Sequence, residues 1–228
     1  MTIRPIGQGG FVVRTKTTEI IIDPYISNIV EKVEVGMNRA RLVPAPFAPA
    51  DVTADAVICT HDHLDHLDTE AAAEMRKGQY FITTAEGKET LASLGQTNVL
   101  AVNHGDTVTV GDMELFIVYA RHSCDAFGVV VRGEGFTAYF SGDTWYDKKL
   151  FAIADMKPDA TFICINGRLG NMNTPEAIVT AEKIGARFNI PAHYNMFASN
   201  AADPHLFADN VKNSKILEFN VEYDVSQW

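Results

Sequence analysis

Ala56-Val57-Ile58-Cys59-Thr60-His61-Asp62-His63-Leu64-Asp65-His66 is a short apolar run that passes directly into a cluster of imidazoles and carboxylates. Ala56 to Cys59 has the character of a buried strand, so the cluster sits at a strand end. Three histidines and two aspartates within six residues are dense for an ordinary solvated loop, which is the plain alternative. Imidazole and carboxylate suit borderline or hard divalent ions such as Zn²⁺, Mn²⁺ or Fe²⁺, with no thiolate needed. Extended backbone projects alternate residues to one side, so His61, His63 and Asp65 are placed to converge while His66 turns toward a neighbouring point. That pattern suits two adjacent ions.

Upstream of this stretch, Phe11–Thr15 and Glu19–Asp23 read as a hairpin around Lys16–Thr18. Residues 28–54, with Pro44, Pro46 and Pro49 and mixed charge, read as an irregular loop long enough to be a lid. Downstream, a helix is expected over Thr69–Lys77 with Gly78 as terminator, then a strand at Tyr80–Thr84 and a helix at Glu86–Leu94. Thr107–Val110 and Met113–Ala120 flank Gly111-Asp112 as one hairpin, and Phe127–Val131 and Phe136–Phe140 form a second. The rest reads as a helix at Trp145–Ala154, a strand at Ala160–Ile165, a helix capped by Thr174 with Pro175 at its first position, and a strand at Arg187–Ile190. Strand-rich and α/β segments recur in both halves. The expected class is α/β (α+β): two mixed β-sheets packed face to face with helices on the outer faces, a four-layer αββα sandwich.

A two-metal site needs more ligands than one run supplies, and they should also end strands that face it. His122 follows Leu115–Ala120, Asp143 follows Tyr139-Phe140, and His193 follows Phe188–Ile190. Together Thr60-His61-Asp62-His63-Leu64-Asp65-His66, His122, Gly142-Asp143 and His193 resemble the motifs of the metallo-β-lactamase superfamily, in the same order, and Ile22-Asp23-Pro24 resembles the superfamily's opening hairpin. The resemblance implies that His61, His63 and His122 bind one metal, that Asp65, His66 and His193 bind a second, and that Asp143 bridges. A carboxylate can span two cations where a neutral imidazole binds one per nitrogen, which agrees with that division.

A narrower likeness lies in Ile165–Met172 and Pro191–Phe197, which are similar to the L-ascorbate-6-phosphate lactonases and their relatives, although this chain is considerably shorter. It implies lactone or ester hydrolysis by a hydroxide held between two divalent ions, Mn²⁺ or Zn²⁺ with Fe²⁺ as a further choice, and Asp65 or Asp143 as the proton carrier. The competing readings are a phosphodiesterase of phospholipase D-like chemistry, which the same pair of ions would serve, and a metal-holding protein without turnover, against which the complete ligand set argues.

At 228 residues the chain suits one domain, residues 1–228. Its composition, 46% hydrophobic and 21% charged, is that of a globular protein with no apolar run long enough to span a bilayer. Met1–Gly10, with Arg4, Pro5 and two adjacent glycines, lacks the core of a secretory signal, so a cytoplasmic location is expected. A net charge of -10 without a Lys/Arg run disfavours nucleic acid and anionic membrane as partners. A small-molecule substrate, including a phosphorylated one, remains compatible because metals and placed donors set the local potential. A homo-oligomer is also compatible with the sequence. Cys59, Cys124 and Cys164 cannot all pair within one chain and read as reduced thiols.

Several residues near the cluster carry two readings. Asp23 either accepts the second ring proton of a ligand histidine or forms a turn before Pro24, and Asp62 and Asp68 either do the same or solvate the loop and start the next helix. Cys124, two residues after His122, reads as a small buried thiol rather than a ligand, and His104 and His205 lie in turn-like surroundings without partners. Arg168, in the loop Asn166-Gly167-Arg168 after a strand, is placed to hold a substrate carboxylate or phosphate bidentately. Asn166, Tyr194 and Asn195 are further candidates to line the substrate pocket, the last two with orientation of His193 as the alternative role.

Overall fold

The computed structural model describes residues 1–228, and its backbone is two mixed β-sheets. The first sheet is built from β1 (Thr2–Gly7), β2 (Gly10–Arg14), β3 (Glu19–Ile22), β4 (Ala56–Ile58), β5 (Phe81–Thr83), β6 (Val99–Ala101) and the late strand Tyr223–Asp224. Its order is Tyr223–Asp224, β1, β2, β3, β4, β5, β6. The second is built from β7 (Thr107–Val110), β8 (Met113–Tyr119), β9 (Phe127–Gly133), β10 (Phe136–Phe140), β11 (Ala160–Cys164) and β12 (Phe188–Ala192), in the order β12, β11, β10, β9, β8, β7.

Both sheets are organised alike, an antiparallel meander that turns into parallel strands. β1, β2 and β3 pair antiparallel and β3 to β6 parallel. In the second sheet β7 to β10 pair antiparallel and β10 to β12 parallel. Parallel pairing needs a crossover, and the crossovers here carry the helices. Thr69–Glu74 and Ala85–Ser93 flank β5, and Thr174–Ile184 joins β11 to β12.

Strand alternation explains the layering. Ile20 and Ile22 of β3 and Phe127, Val129 and Val131 of β9 turn into one 25-residue core between the sheets. Ile21 joins the apolar cluster that includes Leu67, Ala71 and Leu91, and Val130 joins the cluster of Ala177, Ala181 and Ile184 on the opposite outer face. Sheets buried on both faces in this way make the four-layer αββα arrangement expected from the sequence.

Boundaries and a few types differ from expectation. The segment after Asp143 is a run of 3₁₀ turns over Lys148–Met156 instead of an α-helix at Trp145–Ala154, because Asp147 caps the turn through Lys149 N and Leu150 N reaches back only to Asp147 O. The helix Thr174–Ile184 is capped by Asn173, not Thr174, in a capping box with Glu176, which leaves Thr174 inside the first turn. The helix from Thr69 stops at Glu74, short of Lys77. Residues 28–54 are less irregular than expected, with a helical turn at Ile29–Val33 and a 3₁₀ turn at Pro49–Asp51. No helix is long and apolar enough to cross a membrane.

Candidate metal centre

β1 and β3 run in one direction, as do β4 in their sheet and β8, β10, β11 and β12 in theirs, so the carboxyl ends of all these strands meet at one edge of the sandwich. The chain places Gln8 after β1, Asp23 after β3, the His61–His66 run after β4, His122 after β8, Asp143 after β10, Asn166 after β11 and His193 after β12. Side chains distant in sequence thereby share one rim. Gln8, Asp23 and His193 all take left-handed backbone there, with φ of 52°, 45° and 56°. Non-glycine residues in that region cost on the order of 1 kcal/mol each, and such strain gathers at functional sites.

The seven ligand-type residues His61, His63, Asp65, His66, His122, Asp143 and His193 converge. His63 Nδ1 lies 3.1 Å from both His61 Nε2 and His122 Nε2. His66 Nε2 lies 3.1 Å from His193 Nε2 and 3.2 Å from Asp143 Oδ1. Asp143 Oδ1 is 3.0 Å from His193 Nε2, and Oδ2 is 4.0 Å from His122 Nε2. Asp65 Oδ2 stands 3.6 Å from His193 Nε2. Three overlapping donor groups result, each within 4.8 Å: His61, His63, His122 and Cys124; His61, His66 and Asp143; and Asp65, His66 and His193.

The imidazoles are held from behind. His66 Nδ1 donates to Asp23 Oδ2 at 2.7 Å, and Asp23 is itself fixed by Thr60 N and Thr60 Oγ1 at 2.7 Å each. With Nδ1 held in this way, Nε2 is the His66 ring nitrogen that faces the centre. His122 Nδ1 meets Gly170 O at 3.2 Å, which likewise leaves its Nε2 facing inward. Gln8 Nε2 donates to Asp65 Oδ2 at 2.6 Å and Gln8 Oε1 accepts from Asn200 Nδ2 at 2.9 Å. Of the two aspartate readings, Asp23 supports a ligand histidine, whereas Asp68 caps the helix from Thr69 and ties down Ile26 and Ser27.

The donor chemistry fits divalent cations. Lone pairs of His61, His63 and His122 face one another across about 3 Å, and Asp143 Oδ1 is buried without a hydrogen bond between His66 and His193. Burial pushes the His61 and His122 imidazoles below their usual range, so both are neutral donors. Burial also acts on His66, but the carboxylates of Asp143, Asp23 and Asp65 outweigh it and hold that imidazole well above its usual value. Against the desolvation that raises them, Asp65 and Asp143 are held below the usual carboxylate range by His66 and His193.

The centre opens into a pocket of about 590 Å³ lined by His63, Asp65, Asp143, His193 and Asn166 among others. Sequence reasoning missed Gln8, Arg39, Trp145, Asn171 and Asn200, which also line it. Gln8 stands between two glycines at a strand end, a visible signal, whereas Arg39 lies in a stretch with no periodicity to reveal it. Arg168 is exposed and lies outside the pocket wall, to which its neighbours Leu169 and Gly170 belong. Tyr194 is buried in the apolar cluster of the outer face beside Phe219, and Asn195 Oδ1 accepts from Ala202 N at 3.0 Å, so neither lines the pocket. Cys124 is half-buried with Sγ 3.8 Å from His63 Nε2, nearer the donors than its reading as a plain buried thiol implied. Burial, with Asp62 nearby, pushes that thiol up to about 12. His104 and His205 are both exposed and belong to none of the donor groups.

Residues 18–194, which include all seven ligand-type residues, match the family model described as the beta-lactamase superfamily domain. The chain is similar to a UPF0173 metal-dependent hydrolase of Oenococcus oeni, 28% identical over 243 residues that cover 98% of this chain and 100% of that one. Its counterpart from Pyrobaculum islandicum is 27% identical over 218 residues, covering 93% and 92%. Among solved structures, Igni18, a metallo hydrolase from Ignicoccus hospitalis, superposes with a TM-score of 0.78 at 21% identity and 98% coverage of both chains. The isothiocyanate hydrolase from Delia radicum gut bacteria does so at 0.80, with 18% identity and 100% coverage of both. The two structures share this chain's fold. By the match over residues 18–194 and the strand-end cluster it encloses, the chain belongs to the metallo-β-lactamase superfamily, in which its sequence relatives are the UPF0173 metal-dependent hydrolases.

Proposed function

We propose that this chain is a metal-dependent hydrolase of small molecules that opens lactone or ester bonds, with two divalent ions held by His61, His63 and His122 on one side, Asp65, His66 and His193 on the other, and Asp143 between them. The observation that carries this reading is the unpartnered, buried Asp143 Oδ1 between imidazoles from two different strand ends, His66 and His193, with Oδ2 turned toward His122 from a third. Bound divalent ions supply a hydroxide nucleophile at neutral pH and polarise the bond under attack.

The chain's own residues do the rest. Asp23 and Thr60 fix the orientation of the His66 ring, and Gly170 O orients His122. Gln8 holds one oxygen of Asp65, whose side chain keeps 21% of its surface accessible where that of Asp143 keeps 5%. Asp65 is therefore the carboxylate placed to carry a proton from the nucleophile to the departing alkoxide, and Asp143 the one placed to hold the ions. Trp145, Leu64 and Leu169 give the pocket an apolar side against which a substrate body can pack. No serine or free thiolate is needed as a nucleophile.

The test is a hydrolysis screen of lactones, simple esters and phosphodiesters with Mn²⁺- and Zn²⁺-loaded protein. Turnover of lactones or esters above phosphodiesters is expected. Phosphodiester cleavage alone would replace this reading with the phosphodiesterase one, and no turnover by metal-loaded protein would leave a metal-holding protein.

A further inference from the structure

Arg39 stands out among the arginines. It is only 8% exposed and lines the same pocket as His63, Asp65, Asp143 and His193. Arg41, two residues on, donates to Val43 O and Tyr25 O and, although its Nη2 is unpartnered, does not line this pocket, and Arg14 pairs with Glu19 and Glu222. Arg39 has Glu34 as its single ionic partner, with Nε and Oε2 at 2.8 Å. That contact is not aligned as a hydrogen bond, and both atoms are buried without a hydrogen-bond partner. The guanidinium lies over the Phe197 ring, 5.5 Å from its centroid, which holds its plane against the segment that follows His193.

A guanidinium whose Nε is taken out of water without an aligned acceptor is costly, and its planar fork matches a carboxylate or phosphate. The pocket wall is otherwise acidic, with Glu34, Asp62, Asp65 and Asp143, so an anionic substituent needs a cation placed for it. We propose that Arg39 is the subsite for an oxyanion on the substrate, at a distance from the bond that is cut, and that Glu34 holds the guanidinium in place until that oxyanion arrives. This rests on the hydrolase reading above and narrows its substrates to small molecules that carry a carboxylate or phosphate besides the scissile bond. The subsite comes from residues 28–54, so the segment expected to cover the pocket contributes a recognition group to it.

The test compares three matched lactones, bearing a carboxylate, a phosphate or a neutral carboxamide at the same position, with metal-loaded wild type, Arg39→Gln, Arg39→Lys and Glu34→Gln. In wild type an anionic lactone has the lower KM, and whether carboxylate or phosphate is lower identifies the oxyanion. Arg39→Gln raises KM for that lactone relative to the carboxamide by about 10- to 100-fold, Arg39→Lys recovers part of the loss, and Glu34→Gln lowers KM for the anion. A purely structural Arg39–Glu34 pair would instead make all three variants affect the three lactones alike, which overturns the proposal. Should no lactone be turned over, the lactone reading fails by itself. Calorimetric titration of the same compounds then decides Arg39: anion-selective binding lost in Arg39→Gln supports the subsite, and wild type that binds all three equally overturns it.

Discussion

Asp143 lies among imidazoles from three strand ends. Its two oxygens face different imidazoles, Oδ1 toward His66 and His193 and Oδ2 toward His122, and one of them has no hydrogen bond of its own. Asp143→Ala is expected to abolish most activity and to lower the number of ions bound, while circular dichroism stays native. Near-normal turnover by a folded, metal-loaded variant would remove Asp143 from the centre. Asp23 acts one step further out, through His66. Asp23→Asn replaces an acceptor of the Nδ1 proton with a group of divided character, and metal affinity should fall by about 10- to 100-fold in an equilibrium titration. Gly170 carries a steric version of the same dependence. A Cβ built there would lie 2.5 Å from His122 Cε1 and Nδ1, and its φ of +101° is open only to glycine. Gly170→Ala should therefore displace His122 and weaken metal binding, and unchanged metal affinity would show that the loop yields instead.

Elements set where these residues arrive. The strands that matter all deliver their carboxyl ends to one edge, and the turn that follows each one must bend sharply enough to aim a side chain across the gap between sheets. The helix Thr174–Ile184 is the crossover that positions β12 and so His193, and its start is fixed by the Asn173–Glu176 capping box. Asn173→Ala should cost about 1 kcal/mol, read as a lowered melting temperature in metal-free protein, and a value within error of zero would mean that packing alone fixes that start. The ligand cluster was legible because it is local: the run from His61 to His66 follows an apolar strand and needs no tertiary information to be read. His122, Asp143 and His193 were legible as polar residues ending strands, and their order matched a known pattern. Arg39 was not, since its segment has no hydrophobic period and its partners, Glu34 and Phe197, are brought to it only by the fold. Arg168 looked the better anion receptor because its strand and loop were easy to place, yet exposure is settled by how the 167–172 loop folds back. Gly167 N bonds to Met172 O there, closing the loop on itself. The 3₁₀ run at Lys148–Met156 escaped for a related reason, as an apolar spacing compatible with a helix does not reveal which backbone hydrogen bonds close.

At the scale of the whole molecule, the centre couples metal binding to the protonation of the fold. In metal-free protein His66 is held well above the usual imidazole range by the carboxylates around it, and Asp65 and Asp143 are held below the usual carboxylate range by His66 and His193. A raised imidazole contributes stability that is full below its unfolded value of about 6.5 and is lost as pH rises through the folded value. The depressed carboxylates contribute stability present above about 4 and lost as pH falls through their folded values. The metal-free fold should therefore lose melting temperature as pH rises above neutrality, while metal-loaded protein, in which ions replace the His66 proton, holds its own. His61 and His122, kept neutral by burial, have no proton to give up. Ion binding at neutral pH should thus release about one proton, chiefly from His66, and affinity should rise with pH over that range. Titrating Mn²⁺ or Zn²⁺ into metal-free protein in buffers of different ionisation enthalpy counts that proton directly. Release of none at pH 7 would mean that the carboxylates around His66 leave it neutral, and with it would go the expectation that chelation destabilises the protein most on the alkaline side.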